Sequence, residues 1–530
     1  MTFKDRSIKA LKAYLRTAAV IDDAALATQP KEPAPATTLQ TPGRGAQASQ
    51  QPEGPTEFKG AFLNVPALVD AFLEQDILCT VFGRKEVLTE NIDALLRSDI
   101  LVVDWKLNDD GSRTAQFISS CATGHPNALH MICIYTSEKD FAAIEQKLRD
   151  ISPNLEKRQD SPPAYSIGST YVLIVDKDHR EKTLPKLLLD AFAPLVGGLL
   201  RNAVFHSIGA IRNNTHALLD RFHPDLDPAF VTHRVYSTPC EDTEQHIIPL
   251  ICSEIGNILR QEKISDNLNK TITREWIEDT TIHTLSENVF PSPSQDVLHD
   301  ALDHILSLGI DGKYIKDTST QERQKHANKV SDLIGKYKKS GEKSQAKKSK
   351  MTEYWGAKNP SLADIKLSIL MSCVHFYNKT IPTIQSGTII KEINTDENKY
   401  YCCIQPPCDC FRIEQEGRHF LFIPLTEVDN DTFFDISLLD ECSSPIYLKK
   451  IKNIYQLETI LFVPSHAGEN ICATAIENNF VFTSKDERKF VFCAQLNEIH
   501  ALRLIQTYSS DLARIGLMES DWQRRIASKK

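Results

Sequence analysis

Four short apolar runs, each rich in β-branched residues, stop at polar residues of particular kinds in a particular order. Ala18-Ala-Val-Ile ends at Asp22-Asp23, Ile100-Leu-Val-Val at Asp104, Met131-Ile-Cys-Ile-Tyr at Thr136 and Tyr171-Val-Leu-Ile-Val-Asp at Lys177. Short runs that are apolar throughout are what strands buried on both faces look like. Open α/β sheets carry their ligand sites outside the carboxyl ends of such strands. The pattern therefore asks for a fold that gathers an acid pair, an acid, a hydroxyl and an amine along one sheet edge.

Between the runs the period changes. Residues 65–74 have helical spacing, 77–82 read as a further strand, and 90–97, 112–121 and 139–149 read as helices. Five strands alternating with helices predict an α/β domain over residues 1–185, with a flavodoxin-like, doubly wound, five-stranded parallel sheet. Residues 27–57, rich in Pro, Gln, Thr, Ala and Gly, cannot bury enough surface to offset their ordering entropy and are expected to be a disordered insertion.

A helical pattern then runs from Thr183 through Leu187, Phe192, Leu199, Ile208 and Leu218 to Phe222 as one long element, with Gly197-Gly198 inside it. Further helices read at 243–259, 272–285 and 295–308, with Pro291 and Pro293 as punctuation. Residues 186–350 are thus expected to be a helical connector ending in a Lys-rich linker, since 336–350 holds seven lysines and one glutamate. From 351 to 530, short β runs at 388–393, 400–405, 419–423, 460–463 and 480–483 and a closing helix at 494–515 predict an α+β domain.

A formal charge of -9 and a pI near 6.0 speak against nucleic acid as the main partner, although the lysines of 336–350 offer one local patch for it. The thirteen cysteines are odd in number and scattered, and no leader-like h-region precedes them. No run reaches the roughly eighteen apolar residues of a spanning helix. A reduced, cytoplasmic setting without a membrane segment is the expectation.

The four run ends have a shared chemistry. Moving a phosphoryl group onto a carboxylate requires an oxygen nucleophile, a hard cation against the entering charge, and donors for the equatorial oxygens. Asp104 is the candidate nucleophile, and Asp22, Asp23 and Asp104 are candidate ligands for Mg²⁺, which prefers oxygen. Thr136 offers a hydroxyl and Lys177 an ammonium. Carboxylates at strand ends also cap the helices that follow, so each residue alone has a purely structural reading; the order of all four separates the two.

On these residues the segment from 13 to about 200 resembles the response-regulator receiver domain. The resemblance implies an acidic pair at Asp22 and Asp23, a phosphoacceptor at Asp104, a hydroxyl at Thr136 and a lysine at Lys177. It also implies a backbone carbonyl offered to the metal by Lys106, and a histidine-kinase-like or other ATPase partner. The chain departs from the family in having Asp178 where a proline usually follows the lysine, and Ile174 where an aromatic switch residue stands. Asp176 and Asp178, beside Lys177, are expected to compete for its charge. The whole chain, with Gly209 to His216 and Asp225 to Phe230, is similar to bacterial response-receiver proteins, some of which accompany ATPases in phage defence.

Four cysteines at 402, 403, 408 and 410 invite a Zn²⁺ reading, but their spacing is not that of paired Cys-x-x-Cys ligands. A packed turn between strands is the preferred reading of Cys402, Cys403, Cys408 and Cys410, with a reactive thiol at Cys408 as the rival. No phosphate-cradling Gly-x-x-x-x-Gly-Lys loop, Gly-x-Ser-x-Gly elbow or His-Glu-x-x-His pair occurs. The expectation is a regulator rather than an enzyme, its chemistry limited to accepting a phosphoryl group. The rivals are a receiver-like docking module that is never phosphorylated, and a nucleic-acid binder using 336–350.

Overall fold

The computed structural model describes residues 2–26, 63–237, 242–280, 295–341, 352–393 and 398–512, apart from 84–85, 108–109, 159–161, 179, 310, 317–318, 354, 377–379, 430–433, 441, 452–455 and 478. The insertion expected at 27–57 and the lysines beyond residue 341 lie outside the described residues. The chain forms two compact units, Met1–Asp279 and Thr280–Lys530.

The first unit is built on β1 (Thr17–Ile21), β2 (Leu78–Phe82), β3 (Ile100–Asp104) and β4 (His130–Thr136), followed by β5 (Glu156–Arg158), β6 (Ala164–Ile167) and β7 (Thr170–Asp176). Their order across the sheet is β2-β1-β3-β4-β7-β6-β5. The five runs anticipated from sequence pair in parallel, with Val20 opposite Val102, Val103 opposite Ile134, and Ile134 opposite Ile174. This is the doubly wound receiver-like sheet. It carries an extension that the sequence did not announce: β6 pairs antiparallel with β7, and β5 with β6, making a mixed seven-stranded sheet.

Each face of the sheet has its own core. On one side α1 (Phe3–Tyr14), α2 (Val65–Leu73) and α5 (Leu184–Val196) pack Leu11, Phe72, Leu188 and Phe192 against Val20, Val102 and Cys133. On the other, α3 (Ser112–Gly124) and α4 (Phe141–Ile151) bring Phe117, Ile118, Ile144 and Leu148 onto Val103, Ile134 and Ile174. Each such fully buried side chain contributes roughly 1.5–3 kcal/mol of transfer free energy. The helix expected at 90–97 is only two single turns, Val87–Glu90 and Ile92–Leu95.

Helix α1 starts with a capping box, in which the Thr2 side chain accepts from the Asp5 amide and the Asp5 carboxylate accepts from the Thr2 amide. Nothing in the apolar runs signalled it. The long helix expected from Thr183 breaks at Gly197-Gly198, where Gly198 takes φ +149°, and α6 (Leu199–Asn213) leaves at 119° to α5. Those glycines therefore turn the chain where one continuous helix was expected. Close packing falls to Gly209, where a Cβ would stand 2.5 Å from the Ala13 carbonyl oxygen of α1. Helices α7 (Thr215–Arg221), α8 (Asp227–Tyr236), α9 (Ile247–Gln261) and α10 (Lys270–Thr280) complete the unit. Arg6 of α1 is paired with Glu275 of α10, and the Phe3 amide donates to Asp279 at 2.7 Å.

At the amino end of the sheet, His130 is buried with its Nε2 unpartnered, and burial holds its pKa below the ordinary value. The folded chain keeps this imidazole neutral while the unfolded chain takes up a proton below about pH 6.5. Stability from this residue is therefore complete above that pH and falls as the pH drops through it. The parent is expected to lose more stability than His130→Gln between neutral pH and about pH 5.5, as measured by denaturant unfolding across that range; equal losses would refute this.

In the second unit α11 (Gln295–Leu308) and α12 (Gln321–Gly341) lie together, with His326 Nε2 2.7 Å from Asp300 Oδ2. After α13 (Pro360–Ser372) come nine antiparallel strands: β8 (Thr388–Glu392), β9 (Tyr400–Cys403), β10 (Arg418–Glu427), β11 (Ile436–Leu439), β12 (Pro445–Lys450), β13 (Glu458–Phe462), β14 (Thr474–Ile476), β15 (Asn479–Thr483) and β16 (Lys489–Gln495). The last helix, α14, spans Glu498–Leu512. The closing helix thus starts later than expected, because Ala494-Gln495 finish β16 against β8. One sheet face holds Phe420, Phe422, Phe462, Phe482 and Phe490, and the other receives Ala501, Leu504 and Tyr508 of α14. Among the described residues no single helix is long and apolar enough to cross a membrane.

Candidate functional site

The carboxyl ends of β1, β3, β4 and β7 bring the anticipated residues together. Lys177, one residue past β7, places its Nζ 2.7 Å from Asp22 Oδ2 and 3.0 Å from Asp104 Oδ2. The side chains of Asp22, Asp104 and Lys177 are 2%, 11% and 11% exposed, so this is a nearly buried triad. Asp23 is the more open third acid, and oxygen atoms from Asp22, Asp23 and Asp104 all lie within 4.8 Å of one another. Among the described residues no other group of His, Cys, Asp and Glu has the geometry to hold a metal ion.

Local backbone bonds fix each group. The Ala24 amide donates to Asp22 Oδ1 at 3.0 Å, and the Lys106 amide bonds the Asp104 carboxylate. Thr114 at the start of α3 donates to the Asp104 carbonyl at 2.9 Å. Thr136 is buried at the end of β4, its Oγ1 accepting from the Glu138 amide at 3.0 Å and its carbonyl accepting from the Lys177 amide at 2.8 Å. The Tyr135 hydroxyl donates to the Lys177 carbonyl at 3.1 Å, which ties the loop after β7 to β4.

The electrostatics are those of too many acids for one base. Burial, with the charge of Asp22, raises the Asp104 pKa despite Lys177; burial, with the charge of Asp104, raises that of Asp23. Burial alone would draw the Lys177 ammonium down, but Asp22 and Asp104 outweigh it, and its pKa is raised. Three oxygen donors with a surplus of negative charge suit a hard divalent cation. Asp22 Oδ2 is fully buried and has no hydrogen bond of proper geometry, only the nearby ammonium. The residues present therefore fit such an ion.

Two neighbours escaped the sequence reading. Glu138 pairs with Lys106 Nζ at 2.5 Å, joining the loops after β3 and β4 across the site. Lys139 takes Asp176 at 2.5 Å and Asp178 at 3.0 Å, so these acids do not compete for Lys177 as expected. Residue spacing alone was a possible signal for Glu138, two positions past Thr136; nothing in sequence indicated Lys139. Ile174, at the position of the family's aromatic, is a fully buried core residue.

Gly111 holds the loop between β3 and α3 at φ +89°, where a Cβ would lie 2.2 Å from the ring of buried Trp105. Only glycine fits there without backbone strain and a clash. Gly111→Ala is expected to destabilise the first unit by about 2–4 kcal/mol, measured by urea unfolding; a loss under about 0.5 kcal/mol, the range of ordinary surface changes, would contradict the geometry.

Of the four cysteines at 402, 403, 408 and 410, only Cys403 and Cys410 meet, their thiols hydrogen-bonded to each other. Cys402 and Cys403 are adjacent on β9 and belong to the cores of opposite faces, Cys410 is buried on the Cys403 side, and Cys408 is exposed in the turn Pro407–Asp409. Burial raises the Cys402 thiol to about 12, the behaviour of a packed core residue.

No curated protein matches this chain. The family model for the response receiver domain matches residues 14–182, a span that contains all five parallel strands and every residue of the acidic site. The chain carries a response receiver domain at its N-terminus, the module of two-component signalling regulators.

Proposed function

We propose that this receiver domain accepts a phosphoryl group on Asp104 and thereby controls a partner-binding region in the C-terminal half. The observation that carries the reading is the meeting of three carboxylates and one ammonium at the ends of adjacent strands. Asp22, Asp23, Asp104 and the Lys106 carbonyl are the residues that would hold Mg²⁺. The ion, when bound, offsets the negative charge that the phosphoryl oxygens bring.

The step itself is balanced within donor and acceptor. An Asp104 carboxylate oxygen bonds to phosphorus as the bond from phosphorus to the donor breaks, and the donor leaves with the electron pair and takes up a proton. Because Thr136 Oγ1 already accepts from the Glu138 amide, its own hydroxyl proton is available to a phosphoryl oxygen. Lys177 supplies the second donor by shifting its ammonium from the carboxylates to the new group. That shift acts on the loops after β4 and β7, which the Lys177 amide bond to the Thr136 carbonyl couples, so a local charge change reaches the neighbouring helices. The phosphodonor we assign by chemistry is a phosphohistidine on a histidine-kinase-like or other ATPase partner.

A second reading keeps the fold without the chemistry: a docking module for such a partner. It is favoured by the ammonium of Lys177, which already pairs two of the three acids without any added cation. Calorimetric titration of the full chain with Mg²⁺ separates the two. Saturable binding that is weakened in Asp23→Asn supports the acceptor; the absence of binding at millimolar Mg²⁺ supports the docking module.

A further inference from the structure

The last two residues of β4 both hold Lys177. The Thr136 carbonyl accepts from the Lys177 amide at 2.8 Å, and the Tyr135 hydroxyl donates to the Lys177 carbonyl at 3.1 Å. Tyr135 is 1% exposed, and its ring belongs to the core on the α1, α2 and α5 side of the sheet. A buried phenol needs a partner for its hydroxyl. Here the partner is the turn that carries the lysine of the site: the Arg180 amide reaches both the phenol oxygen and, at 3.3 Å, the Lys177 carbonyl. The Lys177 Nζ lies over the same ring, 5.9 Å from its centroid, within the range at which an aromatic face attracts a cation. One side chain thus meets both ends of Lys177, the carbonyl and the ammonium.

We infer that Tyr135 is a positioning residue of the site: it fixes the place from which the Lys177 ammonium reaches Asp22 and Asp104. A lysine stem has more rotamer freedom to lose than most side chains. An ammonium set 2.7 Å from one carboxylate and 3.0 Å from another therefore needs a main chain that does not drift. With its amide and its carbonyl both tied to β4, Lys177 has only its stem left to move. An isoleucine or valine at position 135 would fill the core without bonding the turn. Burial and the charge of Glu181 hold the phenol well above its ordinary pKa, so the hydroxyl stays a donor across the neutral range. The hold extends to α5, because the Arg180 carbonyl accepts from the Leu184 amide at 2.7 Å. What the ammonium does for a phosphoryl group rests on the reading of Asp104 as acceptor; that Tyr135 places it does not.

A double-mutant cycle of Tyr135→Phe and Lys177→Met separates positioning from packing, because Tyr135→Phe keeps the ring and removes only the hydroxyl. In calorimetric melting of the full chain in chelator, Lys177→Met should lower the midpoint of the first unit by ~2–4 °C less in the Tyr135→Phe background than in the parent, since a lysine no longer held offsets less of the acids' charge. Phosphoryl uptake with Mg²⁺ and a small acyl phosphate should slow ~10-fold when Tyr135→Phe is made in the parent, and less than ~2-fold when Lys177→Met is already present. Equal drops in the two backgrounds, or equal slowing, would each make Tyr135 a packing residue and overturn the inference. A parent that takes up no phosphoryl group would count against Asp104 as acceptor alone, and the melting cycle, which needs no phosphodonor, would then decide the inference.

Discussion

Asp104→Asn is expected to abolish phosphoryl uptake and, in the absence of divalent cations, to make the first unit more stable. The first effect follows from the chemistry: an amide oxygen in place of the carboxylate is no nucleophile toward phosphorus at neutral pH, so uptake should fall below detection against a parent that takes one group. The second follows from the charges. Asp104 shares the pocket with Asp22 and Asp23 and only one ammonium, and burial raises its pKa, so its ionised form costs stability in the apo protein. Removing that charge at constant shape should raise the apo thermal midpoint by ~2–4 °C, the shift that about 1 kcal/mol produces in a unit of this size. Intact mass after incubation with Mg²⁺ and a small acyl phosphate reads the first effect, and calorimetric melting in chelator the second. A variant that still gains a phosphoryl group would move the acceptor elsewhere.

Lys177→Met should act in the opposite direction on stability. It leaves three carboxylates facing one another with their only described cation gone. Stripping one partner from a buried ion pair costs about 3–5 kcal/mol, so the apo midpoint should fall by roughly 10 °C. Divalent cations should recover much of this, because they supply the charge that the lysine supplied; the gap between parent and variant therefore narrows with added Mg²⁺. Phosphoryl uptake by the variant should slow about 10²-fold, the typical cost of losing one charge-stabilising donor. A variant as stable as the parent in chelator, and indifferent to Mg²⁺, would show that the acids are already protonated and that the cluster carries no stored repulsion.

Four of the parallel strands could be read from the sequence because each has an unbroken apolar middle, as Met131 to Tyr135 illustrates, with its polar residues at the ends; β2, which carries Thr80 inside, was legible from its β-branched content and its place between helical segments. The hairpin β5–β6 could not, since Glu156–Arg158 is three charged residues and shows no period at all. The break at Gly197-Gly198 was hidden for a different reason: apolar residues flank it on both sides in helical spacing, and the backbone angle of Gly198 decides the outcome. In the second unit β14 is exposed throughout and β12 ends in lysines, so neither carries the alternation that marks a half-buried strand. The site shows the same division. Strand ends told where Asp22, Asp104, Thr136 and Lys177 would stand, but partner choice depends on where long side chains reach. Asp176 and Asp178, adjacent to Lys177 in the chain, pair with Lys139 from the loop before α4.

The acceptor assignment meets its most direct test in mapping the phosphoryl group on the unmodified full chain. After loading with Mg²⁺ and a small acyl phosphate, borohydride reduction converts an aspartyl phosphate into homoserine, which peptide mass spectrometry locates. The prediction is a single conversion at position 104, dependent on the divalent cation. Conversion at another carboxylate, or an unreduced label on a hydroxyl or imidazole, would contradict the assignment of Asp104 as the acceptor.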